Sequence, residues 1–158
     1  MRLGLPSVWT RISMTKEVYL ALGTNMGERS ANLESAIGLL DEAFGVPYTA
    51  LSSFYANPAQ GFEGEDFLNA VVRYDLDIEP LRILEICKDV EHRMGRVGGG
   101  IRYDSQGRRI YHSRVIDVDV LLIGDMHIDT PVLTVPHPRM RERDFVMIPL
   151  REIYGGIL

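Results

Sequence analysis

The chain has 158 residues, 46% of them hydrophobic and 25% charged, which suits one globular domain with a buried core. Its formal net charge of -5 argues against a general nucleic-acid binder, and its single cysteine excludes an intrachain disulfide. No apolar run reaches the ~18 residues needed to span a membrane. Residues 1–13 contain no continuous apolar segment and no evident cleavage site, so we expect no secretory signal there. We therefore expect a cytoplasmic protein without nucleic-acid or membrane partners, with a single domain at 17–158. Residues 1–16 are expected to be a flexible extension, the alternative being an over-long start, and the expected oligomeric state is a monomer.

The N-terminal part of this domain predicts a strand followed by an amphipathic helix. Residues 18–22 favour a strand, and Gly23-Thr24-Asn25 is typical of the turn that would end it. Ser30 suits the N-cap of a helix that ends before Gly45. Its core-facing residues recur at spacings of four, three and four, at Leu33, Ile37, Leu40 and Phe44.

Two more strands and a second helix follow. The strands are predicted at 47–55 and 67–76, on either side of a loop rich in Pro and Gly. Asp77 and Pro80 are typical of a helix start, and Gly95 of its end. The apolar stripe of this helix consists of Leu81, Leu84, Cys87, Val90 and Met94, so we expect Cys87 to be a buried small hydrophobe.

The segment 96–113 is polar and contains three consecutive glycines, Gly98 to Gly100. Glycine loses much backbone entropy when it is ordered, so the segment is expected to be a long mobile loop. It is either a lid over a binding site or a plain surface loop, and loops of this length are often functional.

Residues 114–124 form the most apolar and β-branched run of the chain, interrupted by Asp117 and Asp119. On a strand, residues two apart project from the same face. Two neighbouring carboxylates on a buried strand need a cation or hydrogen-bond donors, and oxygen ligands favour Mg²⁺. The alternative is a pair that faces solvent or contacts arginines.

Beyond this strand, residues 126–130 predict a hairpin return and residues 139–145 a short helix. The order strand, helix, strand, strand, helix, strand is that of a ferredoxin-like α+β sandwich, with helices packed on a mainly antiparallel sheet.

Several other side chains have the chemistry of a ligand site. Phe67 and Asn69 share one face of a strand and offer an aromatic surface beside an amide, which suits a flat heterocycle, although core packing is the more common role of such strand residues. Phe145 either supplies a second stacking surface or closes the core. The guanidinium groups of Arg96, Arg114 and Arg143 suit phosphate oxygens or simply face solvent, and His137 lies in an extended loop between two prolines.

Six motifs in order carry a more specific signal. They are Gly23-Thr24-Asn25, Ser53 to Pro58, Phe67 to Ala70, Glu91 with Gly95-Arg96, Arg114-x-x-Asp117-x-Asp119, and Val135 to Met140. Together, over residues 18–152, they resemble the 6-hydroxymethyl-7,8-dihydropterin pyrophosphokinase family. The resemblance implies a ferredoxin-like transferase of folate biosynthesis, which moves pyrophosphate from ATP to the hydroxymethyl group of the pterin and releases AMP.

The resemblance also implies roles for individual residues. Asp117 and Asp119 would bind two Mg²⁺ ions and, with Arg96 and Arg114, form the catalytic set. The pterin would contact Asn57, Pro58, Gln60, Phe67, Asn69 and Phe145. The co-substrate ATP would contact Glu91, Arg96, Tyr111, Arg114, Val120, Thr134, His137 and Arg143.

Some positions depart from the family pattern. Gly98 to Gly100 replace basic residues and Tyr111 a tryptophan, so the lid is expected to differ in detail. Two other classes of protein remain open from the residues alone. A non-catalytic ferredoxin-like binding module would leave the Asp pair unexplained. A different Mg²⁺-dependent nucleotide enzyme, such as a nucleotide-sugar transferase, would leave Phe67, Asn69 and Phe145 unexplained.

Overall fold

An antiparallel β-sheet forms the centre of the protein. The structure is a computed structural model that describes residues 15–57, 66–95, 102–103, 105–107, 109–110 and 115–158. Two long strands, β1 (Lys16–Thr24) and β4 (Phe67–Leu76), pair along their whole length in the middle of the sheet. On one side, β7 (Asp117–Ile123) pairs with β1; on the other, β2 (Ala50–Leu51) and β3 (Tyr55–Asn57) pair with β4.

Three α-helices pack on this sheet. They are α1 (Arg29–Phe44), α2 (Pro80–Gly95) and α3 (Asp144–Ile153), the last preceded by a 3₁₀ turn at Met140–Glu142. Two small ribbons complete the described structure: β5 (Arg102–Tyr103) with β6 (Arg109–Ile110), and β8 (Ile128–Asp129) with β9 (Thr134–Val135). None of the described helices combines the length and apolar character needed to cross a membrane.

One face of the sheet, here called the closed face, is covered by α1 and α2. Successive strand residues point to opposite faces, and every second residue of β1, namely Val18, Leu20 and Leu22, lies in this core. The matching residues of β4 and β7 join the same cluster, with Leu33 and Ile83 from the helices fully buried against them. The closed face is therefore a continuous apolar core.

The opposite face, here called the open face, carries the other half of the same strands. Its middle is covered by α3, whose Met147 and Leu150 pack on Tyr19, Val71 and Leu121 in a second, smaller cluster. The end of this face beyond the start of α3 bears small, polar and aromatic side chains, among them Asn69, Asp117 and Phe67. The sheet thus has one face that holds the protein together and one that is only half covered.

The α+β sandwich with helices on an antiparallel sheet is confirmed, with corrections to individual elements. Gly45 ends α1 in the left-handed conformation (φ 76°), but the helix begins at Arg29 after Glu28, so the prediction of Ser30 as N-cap was wrong. Leu81 is 56% exposed, because the buried stripe of α2 runs through Ile83 and Ile86 instead.

Three boundaries also differ. The strand predicted at 47–55 is divided into β2 and β3. Gly23 and Thr24, predicted in a turn, are the last residues of β1, where they still pair with β4. The short helix predicted at 139–145 is a 3₁₀ turn followed by the ten-residue α3, which contains Pro149.

Candidate functional site

A cavity of about 700 Å³ lies at the uncovered end of the open face, within the range of small-molecule sites. Its floor is the sheet and its wall is the segment that leads into α3. Seven of the predicted site residues line it: Asn57, Phe67, Asn69, Asp117, Asp119, Arg143 and Phe145. Residues far apart in the chain therefore meet around one space, as the combined motifs predicted.

Asp117 and Asp119 lie together on the open face, at the start of β7. Val118, between them, points into the closed face and is buried. On the neighbouring strand, Asp117 pairs with Gly23 and Asp119 with Ala21. Because these two neighbours are small, both carboxylates are half-buried yet open to the cavity.

The other side of the cavity floor offers a ring-sized surface with an amide beside it. Phe67 and Asn69 project from β4, and Asn57 from β3 directly opposite Phe67. Asn69 is 5% exposed, and its Nδ2 donates to Tyr55 O at 3.2 Å and to Asn57 Oδ1. The aromatic surface and the fixed amide are suited to a flat heterocycle with polar edges.

The start of α3 supplies the wall that faces this floor. Phe145 lies in its first turn, and Arg143 immediately precedes the helix. The Arg143 Cζ atom lies 5.7 Å from the centre of the Phe145 ring, within cation–π distance. One short segment therefore brings a positive charge and an aromatic ring to the same cavity.

The charges that line the cavity favour a divalent cation. Among the described residues that line it, Arg139 and Arg143 contribute a formal +2 and Asp117, Asp119, Glu142 and Asp144 contribute -4, a balance of -2 for these six. The described residues contain no group of three or more His, Cys, Asp or Glu side chains arranged to hold a metal ion. Mg²⁺ is commonly held by one or two carboxylates together with substrate phosphates, so this Asp pair fits Mg²⁺ bound with a phosphate ligand.

His137 lies near the cavity but does not line it. Its Nδ1 accepts a hydrogen bond from the Arg139 backbone N–H at 3.2 Å, so in the neutral imidazole the ring proton is on Nε2. Burial lowers the pKa of His137, Arg143 and Arg139 lower it further, and Asp119 opposes the shift. The lowered pKa favours the neutral imidazole, in which Nε2 carries the proton.

Three more of the residues predicted to contact ATP lie outside the cavity lining. Val120 is 5% exposed and packs in the core of the closed face, so only its backbone is left for a ligand contact. Thr134 is in β9, which lies next to β7. The Glu91 Oε2 atom accepts a hydrogen bond from the Val118 backbone N–H at 2.8 Å, and Glu91 is 8% exposed.

Five predicted site residues lie outside the described part of the chain, namely Pro58, Gln60, Arg96, Tyr111 and Arg114. Most of the predicted lid at 96–113 is outside it as well. Within that segment the structure describes the ribbon formed by β5 and β6, joined by a turn at 105–107.

Sequence reasoning overlooked several residues that line the cavity. Gly23 and Tyr55 had been noted only as parts of motifs, and Glu142 and Asp144 had not been noted at all. Gly23 had a recognisable signal, because a glycine inside a strand often marks the close approach of a ligand or another chain segment. Assigning it to a turn removed that signal.

The fold and the site together define an α+β protein whose cavity combines two aromatic rings and a fixed amide with a pair of carboxylates. Residues 19–155 match the model of the 7,8-dihydro-6-hydroxymethylpterin-pyrophosphokinase family. The chain belongs to this family and is a pyrophosphokinase.

Individual relatives agree with this assignment. A protein of Bacillus subtilis named 2-amino-4-hydroxy-6-hydroxymethyldihydropteridine pyrophosphokinase is 37% identical over 89% of this chain and 79% of its own length. A protein of the same name from Porphyromonas gingivalis is 38% identical over 86% of this chain and 89% of its own length. The mitochondrial folate synthesis bifunctional protein of Pisum sativum is 38% identical over 89% of this chain, which corresponds to 25% of that longer protein.

Proposed function

We propose that the protein transfers pyrophosphate from ATP to the hydroxymethyl group of 6-hydroxymethyl-7,8-dihydropterin, releases AMP, and thereby serves folate biosynthesis. One observation carries the proposal beyond family membership. The ring-sized surface of Phe67 and Asn69 and the carboxylates of Asp117 and Asp119 line the same cavity on the same face of the sheet. A heterocycle held on one side would extend its substituent towards phosphates held on the other.

The pterin fits the polar and aromatic groups on the floor of the cavity. Its ring would stack between Phe67 and Phe145, which come from the sheet and from the wall above it. The Asn69 amide is held by two protein acceptors through Nδ2, so its Oδ1 is the atom left to accept a hydrogen bond from a ring N–H. Asn57, Pro58 and Gln60 would complete this pocket.

In the proposed reaction, the hydroxymethyl oxygen attacks the β-phosphorus of ATP. A new O–P bond forms while the bond from that phosphorus to the oxygen bridging the α-phosphate breaks, and AMP leaves. Asp117 would lie near the attacking hydroxyl group. Asp119 and Asp117 would hold two Mg²⁺ ions, which when bound neutralise the charge on the entering and leaving oxygens.

Positive side chains would bind the phosphates around this centre. Arg143 lines the cavity, and its guanidinium group rests on Phe145, so a phosphate contact there would also fix the stacking ring. The neutral His137 would donate from Nε2. Arg96 and Arg114 would add two further charges, while Glu91, Tyr111, Val120 and Thr134 would contact the rest of the nucleotide.

The proposal is tested by measuring AMP release from ATP with purified protein, with and without the pterin and with and without Mg²⁺. We expect AMP only when both are present, and loss of activity when EDTA removes the metal. Formation of ADP and phosphate, or AMP release that does not depend on the pterin, would contradict it. We also propose that the protein is a cytoplasmic monomer whose partners are small molecules. Light scattering after gel filtration tests whether it is a monomer.

A further inference from the structure

Gly23 lies at the centre of the cavity floor, between the two halves of the proposed active site. It pairs directly with Asn69 of β4 on one side and with Asp117 of β7 on the other. All three residues face the cavity. Any side chain at position 23 would therefore project between the ring-binding surface and the carboxylates.

Position 23 requires glycine because there is no room for a side chain, and not because the backbone has a conformation that favours glycine. The φ angle of Gly23 is not in the left-handed region, whereas those of Gly27, Gly45, Gly107 and Gly124 are positive. A Cβ atom built on Gly23 would lie 3.0 Å from Asn69 Oδ1. Such a contact is shorter than the 3.3–3.6 Å of typical close carbon–oxygen contacts, so the amide would have to move.

Asn69 has little freedom to move. Its side chain is buried, and Nδ2 is held from one side by Tyr55 O at 3.2 Å and by Asn57 Oδ1. These two acceptors fix which end of the amide is nitrogen, so Oδ1 lies over Gly23. A shift of Oδ1 by a few tenths of an ångström would lengthen both hydrogen bonds and tilt the oxygen away from its present direction.

We propose that Gly23 is a positioning residue for the pterin: its missing side chain lets the Asn69 amide lie across β1 with Oδ1 directed at the ring. This inference rests on the proposed function, because it needs a heterocycle with an N–H at that place. It also explains why a glycine occupies a paired position one residue before the end of β1, although glycine weakens a strand. Gly23 acts through Asn69 and does not itself contact the reacting atoms.

The test compares Gly23→Ala with the matched control Gly38→Ala. Gly38 is exposed in α1, and a Cβ built there meets nothing within 4 Å. Fluorescence titration measures the dissociation constant of the pterin. Calorimetry in the presence of Mg²⁺ measures the dissociation constant of a non-hydrolysable ATP analogue. We expect Gly23→Ala to raise the pterin dissociation constant and KM by about tenfold, the loss of one good hydrogen bond. The nucleotide constant should change less than about twofold and kcat less than about threefold, and Gly38→Ala should match the wild type in all four values.

The same substitution in an Asn69→Ala background shows whether the effect runs through the amide. Without the Asn69 side chain the added Cβ has nothing to displace, so Gly23→Ala should then weaken pterin binding by less than about twofold. If Gly23→Ala alone lowers the melting temperature strongly, Asn69→Ala should restore it. Three results would each overturn the inference: a further tenfold loss of pterin affinity from Gly23→Ala in the Asn69→Ala background, a lowered melting temperature that Asn69→Ala does not restore, or wild-type pterin binding by Gly23→Ala.

The outcome also separates this inference from the proposed function. A wild-type protein that neither binds the pterin nor forms AMP would overturn the proposed function and the inference with it. A wild-type protein that does both, together with a Gly23→Ala variant that binds the pterin equally well, would overturn the inference alone.

Discussion

The two faces of the sheet are built from the same strands, yet they differ in almost every physical respect. On the closed face, alternate residues such as Leu20 and Val72 are fully buried beneath two sixteen-residue helices. On the open face, the ten-residue α3 covers only the middle. Stability therefore comes mainly from one face, and the uncovered end of the other is free to bind ligands.

The open face is itself divided along the strands. Tyr19 is fully buried beneath α3, and at the end next to it Arg73 pairs with Glu17 at 3.3 Å and with Asp75 at 2.9 Å. At the other end lies the cavity with Asp117 and Asn69. Charges at the first end are paired with one another, whereas the described residues that line the cavity carry more carboxylates than guanidinium groups, which suits a cation.

The largest expected effect comes from removing a carboxylate from the open face. Asp119→Ala should lower kcat at least about 10³-fold, because metal ions supply several kcal/mol of transition-state stabilisation. The melting temperature should stay within a few degrees of the wild type. The control is Asp89→Ala, which removes an exposed carboxylate from α2 on the closed face and should leave kcat unchanged. Wild-type turnover by Asp119→Ala would refute the metal-binding role.

A Leu→Ala change in the core of either face should lower stability to a similar degree, but only the change on the open face should weaken ligand binding. Leu33 in α1 and Leu150 in α3 are both fully buried, so each change to Ala should destabilise the fold by about 2–5 kcal/mol in urea unfolding. Leu150→Ala should also raise the pterin KM several-fold, because α3 carries Phe145 over the cavity. The same rise in KM for Leu33→Ala would remove the distinction between the faces.

Glu91 allows a structural role to be compared with a ligand-binding one. It was predicted to contact ATP, and in the structure its carboxylate accepts a hydrogen bond from the backbone of β7. Glu91→Ala should cost about 1–3 kcal/mol of stability, because the Val118 N–H loses its acceptor, and Glu91→Gln should cost less. The control Glu85→Ala, exposed on the same helix, should lie within about 0.5 kcal/mol of the wild type. Unchanged stability of Glu91→Ala with a raised ATP KM would instead favour a purely ligand-binding role.

The sequence predicted the closed face better than the open one, for physical reasons. The strand at Phe67–Leu76 and the end of α1 at Gly45 were confirmed, because apolar periodicity and a left-handed glycine are local signals. The cover of the open face was predicted only in part, because the short helix expected at 139–145 is a 3₁₀ turn followed by α3 at Asp144–Ile153, which continues through Pro149.

The register of β7 could not be read from the sequence either. The pairing with β1 shifts between Tyr19 and Leu20, so Leu121 and Leu122 both join the open-face cluster and interrupt the alternation. A run of apolar residues does not reveal such a bulge. The Asp pair was predicted because it lies before the bulge, where residues two apart still share a face. The role of Gly23 could not be predicted in this way, because it depends on neighbours in two other strands.

The smallest expected effect concerns the paired end of the open face. Burial and the hydrogen bond to Glu17 raise the pKa of Tyr19 to about 12. Between pH 10 and 12 the unfolded chain therefore loses the phenolic proton while the folded protein keeps it, so stability falls as the pH rises. For one such group the slope is at most about 1.4 kcal/mol per pH unit.

Tyr19→Phe keeps the ring that packs against Tyr154 with centroids 5.2 Å apart, and removes only the titrating hydroxyl. Near pH 8 we expect this variant to be less stable than the wild type by up to about 1 kcal/mol, through loss of one hydrogen bond. By pH 11 the difference should shrink or reverse, as measured by urea unfolding across the range. Parallel stability curves from pH 8 to 11 would mean that Tyr19 ionises equally easily in both states, and that the packing of α3 on Tyr19 does not keep water from its hydroxyl group.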